Sequence, residues 1–260
     1  THSTPVTYDM MYLLQDRGVQ AVPIIPEHDV IDLANIKVDC DLYVLRPSAE
    51  IILSLAAVLY SRGAKILNNL HSCTVVRDKI QVAGRMLDAG LPFPKSYVTG
   101  NIEAMRKEIS APVIVKPERG ALGEGIQIFN ENDPTPPVRK GGYFAQHYLP
   151  TDHYDLKVYV IGKEVMARKR HFPCENDFEY LGTDSDVSEE VRELALKCGE
   201  IFDLDIYGLD IVQTKQGLYI VDVNYFPSFL GVPDAAEKLA DYIYNYALRN
   251  NPNKPKIIKW

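Results

Sequence analysis

Two aspartates and an asparagine near the end of the chain have the types and spacing of a metal site. Asp210 and Asp222 belong to the segment 208–227, in which two apolar runs flank the loop Lys215-Gln216-Gly217. A hairpin with that three-residue loop, and glycine where a left-handed residue is needed, makes the two aspartates direct cross-strand neighbours. Their Cβ atoms would then lie about 5 Å apart. Asn224 is two residues further on and points to the same face of the sheet.

Such a pair of like charges needs something to offset its repulsion, because opposed carboxylates destabilise a sheet. A divalent cation would do so. Two carboxylates and an amide oxygen are ligands suited to Mg²⁺, which takes the rest of its shell from water and substrate phosphates. The residues alone leave two other interpretations open, namely a solvated aspartate pair at a strand end and a pair in which one aspartate is protonated.

A glycine-rich stretch, KPERGALGEG at residues 116–125, could bind phosphate between two predicted strands. Its three glycines are Gly120, Gly123 and Gly125. Such glycines let backbone N–H groups approach phosphate oxygens closely. Lys116 ends the preceding strand and Lys79 follows Arg77-Asp78 in a helix, so both could neutralise phosphate charge. The stretch matches neither a P-loop nor a Rossmann fingerprint, and a flexible hairpin loop with solvated lysines is the alternative.

A run of basic residues stands out in a chain whose net charge is -7. It comprises Arg168, Lys169, Arg170 and His171. In a strand, Arg168 and Arg170 share a face, and paired guanidinium groups suit bidentate recognition of phosphate or carboxylate. The alternative is an edge strand that its charges protect against unwanted pairing.

The composition is that of a soluble globular protein. The 260 residues are 46% hydrophobic and 24% charged, which allows one large domain or roughly two to three small ones. The acidic charge argues against nucleic-acid or membrane partners, and the longest apolar run, 51–60, is too short to cross a bilayer. No signal peptide is recognisable. The sequence starts at Thr1 rather than at Met, which leaves open whether a first strand precedes it.

These properties lead us to expect a cytoplasmic protein, monomeric or homodimeric, that acts on a small anionic substrate. The cysteines lack the spacing of a disulfide framework or a zinc site, so we expect reduced thiols. They are Cys40, Cys73, Cys174 and Cys198.

Three regions must position the candidate residues. Residues 1–72 alternate helix and strand, which predicts a small parallel sheet. Residues 73–145 contain a predicted helix, Val76 to Ala89, and the strands around the glycine-rich stretch. Residues 146–260 contain two hairpins, an amphipathic helix with Ser188 as its N-cap, and a final helix. We therefore predict three units with these boundaries.

The order of the motifs resembles that of the ATP-grasp superfamily, from about residue 40 onward. The motifs are RDK at 77–79, VKP at 115–117, FAQHYL at 144–149, DLKVYVIG at 155–162, GLD at 208–210 and VDVNYFP at 221–227. The resemblance implies an α/β (α+β) ATP-grasp fold. In that fold a small N-terminal parallel α/β domain precedes two ATP-grasp subdomains that clasp ATP.

The resemblance also implies roles for particular residues. The ATP-binding residues would be Lys79, Lys116, Gly120, Gly123 and Gly125 at the phosphates, and Gln146, His147, Tyr148 and Leu149 at adenine. The metal ligands would be Asp210, Asp222 and Asn224, holding one or two Mg²⁺ ions, with Mn²⁺ as an alternative. The superfamily usually has Glu where this chain has Asp222, and one branch has Asp.

Within the superfamily, the motifs QHYL, KVYVIG, ARKRHFP and VDVNYFPSF resemble those of inositol polyphosphate kinases. This implies a Mg-ATP-dependent enzyme that transfers the γ-phosphate to an anionic small molecule, most simply an inositol-phosphate-type kinase. The catalytic residues would be Lys157 and Arg170, and the substrate-binding residues would be Arg46, Arg168 and Ser228.

The main alternative is a RimK-like carboxylate–amine ligase, which works through an acyl phosphate. GALGEG and the RPS sequence at 46–48 resemble that branch. Those ligases carry an Arg-Ser/Thr-Asn segment after the central hairpin, whereas residues 176–182 read NDFEYLG, with Glu179 at a basic position. A third possibility is a nucleotide-binding module without catalysis. No Ser-His-Asp or Cys-His arrangement points to covalent catalysis.

Overall fold

The computed structural model describes residues 4–47, 50–109, 112–116, 127–130, 133, 142–151, 153–171, 181–250 and 255–259. The helices are α1 (Pro5–Asp16), α2 (Glu50–Ser61), α3 (Leu70–Val76), α4 (Lys79–Asp88), α5 (Ile102–Glu108), α6 (Glu189–Phe202) and α7 (Ala235–Asn250). None of the helices in these ranges is long and apolar enough to cross a membrane.

The strands form three sheets. The N-terminal sheet has the order β1 (Gln20–Val22), β13 (Ile257–Lys259), β2 (Leu42–Val44), β3 (Ile66–Leu67). The central sheet has the order β4 (Ser96–Thr99), β7 (Tyr143–His147), β5 (Val113–Lys116), β6 (Gln127–Phe129). The C-terminal sheet has the order β10 (Thr183–Ser185), β9 (Glu164–His171), β8 (Tyr154–Ile161), β11 (Ile206–Thr214), β12 (Gly217–Tyr225).

The N-terminal sheet is parallel throughout, as the alternation of helix and strand predicts. Its strand β13 comes from the other end of the chain and lies between β1 and β2, with Gln20 opposite Ile257 and Leu42 opposite Ile258. Residues 257–259, which the predicted boundaries place in the C-terminal subdomain, therefore pair within the N-terminal sheet. A three-residue strand carries too little pattern to reveal its distant partners.

The predicted helix from Val76 to Ala89 is interrupted at Arg77-Asp78. Val76 is the last residue of α3, and the rest of the predicted helix corresponds to α4. The Asp78 carboxylate accepts hydrogen bonds from the amides of Ile80 and Gln81, 3.0 and 3.2 Å away, and so caps α4. Lys79 thereby becomes the first residue of α4. At α6, the expected N-cap is confirmed, because the Ser188 hydroxyl accepts from the Val191 amide.

Two apolar cores hold the sheets. The larger core runs without a break from Met10 in α1 through the C-terminal sheet to Ile258 in β13, and it includes Val82 and Met86 of α4. The smaller core lies on the central sheet and consists of Met105, Ile109, Val113, Val115, Tyr143 and Ala145. Phe144 of the same sheet belongs to the larger core. The boundary between 72 and 73 stays a prediction, although α4 packs in the larger core.

The buried side chain of Asn68 links the N-terminal and C-terminal sheets. Its amide nitrogen donates to the carbonyl of Ile206, and its oxygen accepts from the amides of Asp205 and Ile206, all at 2.8–2.9 Å. Since Asn68 follows β3 and Ile206 begins β11, these bonds fix the start of the metal-site strand to the N-terminal sheet.

Candidate functional site

Asp210 and Asp222 are direct cross-strand partners, as the sequence predicts. The route to that pairing differs from the prediction. The turn closes on Thr214 opposite Gly217, a two-residue rather than a three-residue loop, and this shifts the register by one. A bulge between Asp210 and Ile211, at which Val221 is the extra residue, shifts it back. Because these two one-residue shifts in register are opposite, Asp210 and Asp222 still face each other.

Asn224 joins the pair on the same face. Its Nδ2 donates to Asp222 Oδ2 at 3.1 Å, which leaves its amide oxygen as the group able to meet a cation. Opposite Asn224 stands Gly208, where an added Cβ would come within 3.0 Å of Pro227 Cγ. The absence of a side chain at Gly208 therefore lets the loop after β12 fold back beside the ligands.

A row of charged residues crosses the whole C-terminal sheet at the level of the aspartates. Each member is the direct strand partner of the next, so that all five lie on one face. In strand order they are Asp184, Arg168, Lys157, Asp210 and Asp222. The sequence gives no local signal for this row, because it depends on the registers of four strand pairs.

Lys157 and Arg170 lie beside Asp210. Lys157 Nζ is 2.6 Å and Arg170 Nη2 is 3.4 Å from Asp210 Oδ1, and Arg170 Nε also donates to Asp155 at 2.9 Å. Burial acts to lower the pKa of Lys157, but the ion pair with Asp210 outweighs it and raises that pKa. Burial acts in the same direction on Arg170, and Asp155 and Asp210 raise its pKa instead. Both predicted catalytic groups are thus held as cations.

Lys116 reaches the same place from the central sheet. Its buried Nζ donates to the carbonyl of Val221, 3.2 Å away, next to Asp222. Burial lowers the pKa of Lys116, an effect that the charge of Asp222 opposes and the charge of Lys79 reinforces. The two lysines predicted to meet the ATP phosphates therefore lie close enough to influence each other, beside the predicted metal ligands.

The predicted adenine strand, Gln146 to Leu149, comprises the last two residues of β7 and the two residues that follow it. The Gln146 side chain is buried and donates to the Ser96 hydroxyl at 3.2 Å. The amides of His147 and Tyr148 donate to the carbonyls of Lys95 and Pro112, both at 2.9 Å. These bonds fix the end of the strand to the central sheet. The contact with adenine stays a prediction.

The three predicted substrate-binding residues differ in their surroundings. The Arg168 guanidinium donates hydrogen bonds to the carbonyls of Leu181 and Gly182, both at 2.7 Å. It also donates to the Gly231 carbonyl and to Asp184.

Arg46 lies instead two residues after the end of β2 in the N-terminal sheet. Its guanidinium carbon is 5.7 Å from the centre of the Phe226 ring. Ser228 lies in the loop after β12, where its carbonyl accepts from Thr4. Within the described residues of that loop, Phe226 and Phe229 adopt φ values of +40° and +55°. Such conformations cost about 1–3 kcal/mol each and concentrate at functional sites.

Four residues of the sequence-based interpretation lie outside the described ranges. They are Gly120, Gly123 and Gly125 of the glycine-rich stretch and Glu179. Their predicted roles stay predictions.

The donor set at Asp210, Asp222 and Asn224 fits Mg²⁺. It consists of oxygen atoms alone, from two paired carboxylates and one amide, which is the chemistry that Mg²⁺ prefers. Among the described residues, no group of three His, Cys, Asp or Glu side chains forms a competing metal cluster.

A family model for the RimK-like ATP-grasp domain matches residues 76–243. The chain belongs to the RimK-like ATP-grasp family. It is 24% identical over 211 residues to a probable alpha-L-glutamate ligase of Haemophilus influenzae, a match that covers 73% of this chain and 70% of the relative. It is 26% identical over 208 residues to the coenzyme gamma-F420-2:alpha-L-glutamate ligase of Methanocaldococcus jannaschii, covering 71% and 72%.

Solved structures confirm the ATP-grasp fold of this RimK-like chain. A RimK domain protein from Sphaerobacter thermophilus superposes with a TM-score of 0.76 at 19% identity, covering 92% of this chain and 95% of that one. The ATP-grasp ligase PsnB in complex with a minimal precursor gives a TM-score of 0.67 at 18% identity, covering 94% and 96%.

The expectation of an inositol-phosphate-type kinase is wrong. The family match and the names of the relatives favour the alternative, a RimK-like carboxylate–amine ligase. The motifs QHYL, KVYVIG and VDVNYFP belong to the shared ATP and metal machinery, which is similar in both branches, so they could not separate the two chemistries.

Proposed function

We propose that this protein is an ATP-dependent carboxylate–amine ligase that activates a carboxylate as an acyl phosphate. The proposal rests on one observation: Lys116 of the central sheet lies close to Asp210 and Asp222 of the C-terminal sheet. That arrangement offers oxygen ligands for a metal ion and cations for phosphates in one place. The ligase names of the relatives support this chemistry over simple phosphate transfer.

In the first step, a substrate carboxylate oxygen would attack the γ-phosphorus of ATP, and the bond to the β–γ bridging oxygen would break to release ADP. Lys79 and Lys116 would bind the phosphates, and Asp210, Asp222 and Asn224 would hold Mg²⁺. When bound, Mg²⁺ neutralises charge on the transferred phosphoryl group.

In the second step, the amine nitrogen would attack the acyl carbon, inorganic phosphate would leave, and the amine would lose a proton to form the amide. Lys157 and Arg170 would stabilise the negative charge of the acyl phosphate, since both are cations on the face that carries Asp210. They offer a way to hold the acyl phosphate without relying on the Arg-Ser/Thr-Asn segment. Arg168, by its contacts, would position the loops at Gly182 and Gly231.

An oxygen-transfer experiment tests the proposal. The protein would be incubated with Mg-ATP, an amine panel that includes L-glutamate, and carboxylates labelled with ¹⁸O, and the inorganic phosphate would be analysed by phosphorus NMR. A ligase transfers one labelled oxygen from the carboxylate to phosphate, and only when both substrates are present.

The Asp222→Asn variant provides the matched control, because it replaces a carboxylate ligand by a neutral amide while keeping the shape of the side chain. Formation of ADP together with a stable phosphate ester, or the appearance of phosphate without label, would contradict ligation. ADP formation that the variant leaves unchanged would contradict the assigned site.

A further inference from the structure

The N-terminal domain contains a cavity that the ATP and metal machinery does not account for. It has a volume of about 340 Å³ and lies between the residues that follow β1 and helix α2. Its apolar lining includes Ile24, Ile25, Ile52, Leu55 and Leu59. Pockets for small molecules span roughly 300–1,000 Å³, so a cavity of this size suits a compact apolar group.

Arg46 supplies positive charge to this cavity. Its Nε is buried and has no hydrogen-bond partner among the residues that the structure describes. Because burial lowers its pKa, the guanidinium would gain from an anionic partner. A buried cationic donor without an acceptor, at the edge of an apolar cavity, is complementary to a ligand with an apolar body and one carboxylate.

Arg46 links the cavity to the loop that follows β12. The guanidinium carbon lies 5.7 Å from the centre of the Phe226 ring, and Phe226 comes two residues after the metal-ligand candidate Asn224. A ligand whose carboxylate pairs with Arg46 would therefore have its apolar part in the cavity and its remaining substituent free to point towards the end of β12.

We propose that this cavity binds the apolar side chain of a free α-amino acid whose carboxylate pairs with Arg46, and that this amino acid is the amine substrate. The inference rests on the proposed ligase function and adds the class of the amine. An α-amino acid of the leucine type carries all three required parts on one carbon: a branched apolar group, a carboxylate and an amine.

L-Glutamate fits the cavity less well. Its side-chain carboxylate would lie among Ile52, Leu55 and Leu59, where burying a charge without a partner is costly. Selectivity for an apolar side chain thus separates this chain from the glutamate ligation in its relatives' names.

Binding of L-leucine and L-glutamate to the full chain, measured by isothermal titration calorimetry, tests the inference. We expect saturable L-leucine binding and at least about tenfold weaker L-glutamate binding. Ile52→Trp should fill the cavity and weaken L-leucine binding by about tenfold or more. Ile51→Trp is the matched control, because Ile51 is the preceding residue of α2, is 52% exposed and does not line the cavity.

A second variant tests the carboxylate contact. Arg46→Met should weaken L-leucine about tenfold but change the binding of leucinol, which has no carboxylate, by less than about twofold. Equal losses for both ligands would overturn the role of Arg46. If L-leucine does not bind, or Ile52→Trp binds it as well as Ile51→Trp does, the cavity is not an amino-acid site.

The outcomes separate the two proposals. Label transfer with L-glutamate, but no L-leucine binding, would leave the ligase in place and overturn the assignment of the cavity. L-Leucine binding that follows the Ile52 and Arg46 variants, with no label transfer for any pair of substrates, would overturn the ligase and keep the cavity as a binding site. Label transfer with L-leucine as the amine would support both.

Discussion

The C-terminal sheet and the central sheet meet at the proposed ATP site, but they are stabilised very differently. The C-terminal sheet shares one continuous core with the N-terminal sheet, from Met10 to Ile258. The central sheet has its own small core of six buried residues, built around Met105, Val113 and Val115. Because local stability follows buried apolar contacts, the central sheet should open more readily than the rest of the molecule.

This difference indicates how the site is divided. The predicted metal ligands Asp210 and Asp222 lie on the strongly packed C-terminal sheet, whereas Lys116 belongs to the weakly packed central sheet and contacts the C-terminal sheet at Val221. A rigid metal platform and a separately moving phosphate clamp are suited to binding and releasing a nucleotide.

The largest expected effect comes from truncating one large apolar side chain to alanine in each core. Leu209→Ala, in the large core, should lower the global free energy of unfolding by about 2–5 kcal/mol. Met105→Ala removes a side chain of similar size from the small core, and it should chiefly increase amide hydrogen exchange in β4, β5 and β7. Denaturant unfolding and hydrogen exchange measured by mass spectrometry would check this pair.

Two results would break that comparison. The first is that Met105→Ala lowers the exchange protection of β11 as much as that of β5, and the second is that Leu209→Ala leaves global unfolding unchanged. The first result would mean that the two cores unfold as one cooperative unit, and the second would mean that the large core does not set the global stability.

A smaller, chemical effect should come from Asp222→Asn, which acts on the platform without disturbing its packing. We expect ATP turnover to fall on the order of 100-fold, since metal-ion stabilisation supplies several kcal/mol. Asp222 is the better target because Asp210→Asn would also leave the Lys157 ammonium without its ion pair. Steady-state ADP formation is the measurement. The control is Asp184→Asn at the other end of the charged row, and an equal loss in it would contradict the assignment.

The link between the two halves of the large core can be tested at Asn68. Replacing Asn68 by Ala removes three hydrogen bonds to Asp205 and Ile206 and leaves buried backbone groups unpaired. The free energy of unfolding should fall by about 1–3 kcal/mol. Urea titration measures the loss. Unchanged stability would show that apolar packing alone joins the N-terminal and C-terminal sheets.

The smallest expected effect is the pH dependence of ATP binding through Lys116. Burial lowers its pKa below 10.5, so Lys116 becomes neutral at a lower pH than an ordinary lysine. Loss of this cation should weaken ATP binding as the pH rises, and the decline should begin below that value. Calorimetric affinities measured at a series of pH values below 10.5 would show it, because burial lowers the pKa of a lysine.

Lys116→Arg supplies the control for that titration, because arginine keeps its charge throughout the range. Its ATP affinity should therefore vary less with pH than that of the unmodified protein. An identical pH dependence in both proteins would assign the titration to another group.

The parts of the site that follow local rules could be predicted from the sequence. The period of two in a strand brought Asn224 to the face of Asp222, and the apolar runs on either side of the turn paired Asp222 with Asp210. The bulge at Val221 could not be foreseen, because a bulge is set by packing on both faces rather than by residue type. The correct pairing rested partly on two differences that cancelled.

Features that depend on distant strands escaped sequence analysis. Lys157 becomes the neighbour of Asp210 only through the pairing of β8 with β11. Arg168, the strand partner of Lys157, donates its hydrogen bonds to the carbonyls of Gly182 and Gly231. The sequence analysis favoured the kinase over the ligase for a related reason. Shared motifs report the ATP machinery, whereas the acceptor site is built from loops and cavity walls without a fixed spacing.

The position of β13 has a consequence for biosynthesis. During translation, β1 and β2 leave the ribosome long before residues 257–259, which must lie between them. Until then, the nascent N-terminal sheet has an open slot whose backbone edges can pair with other chains. Residues 257–259 thus complete the N-terminal sheet, and a ribosome that stalls before them would leave that sheet unfinished.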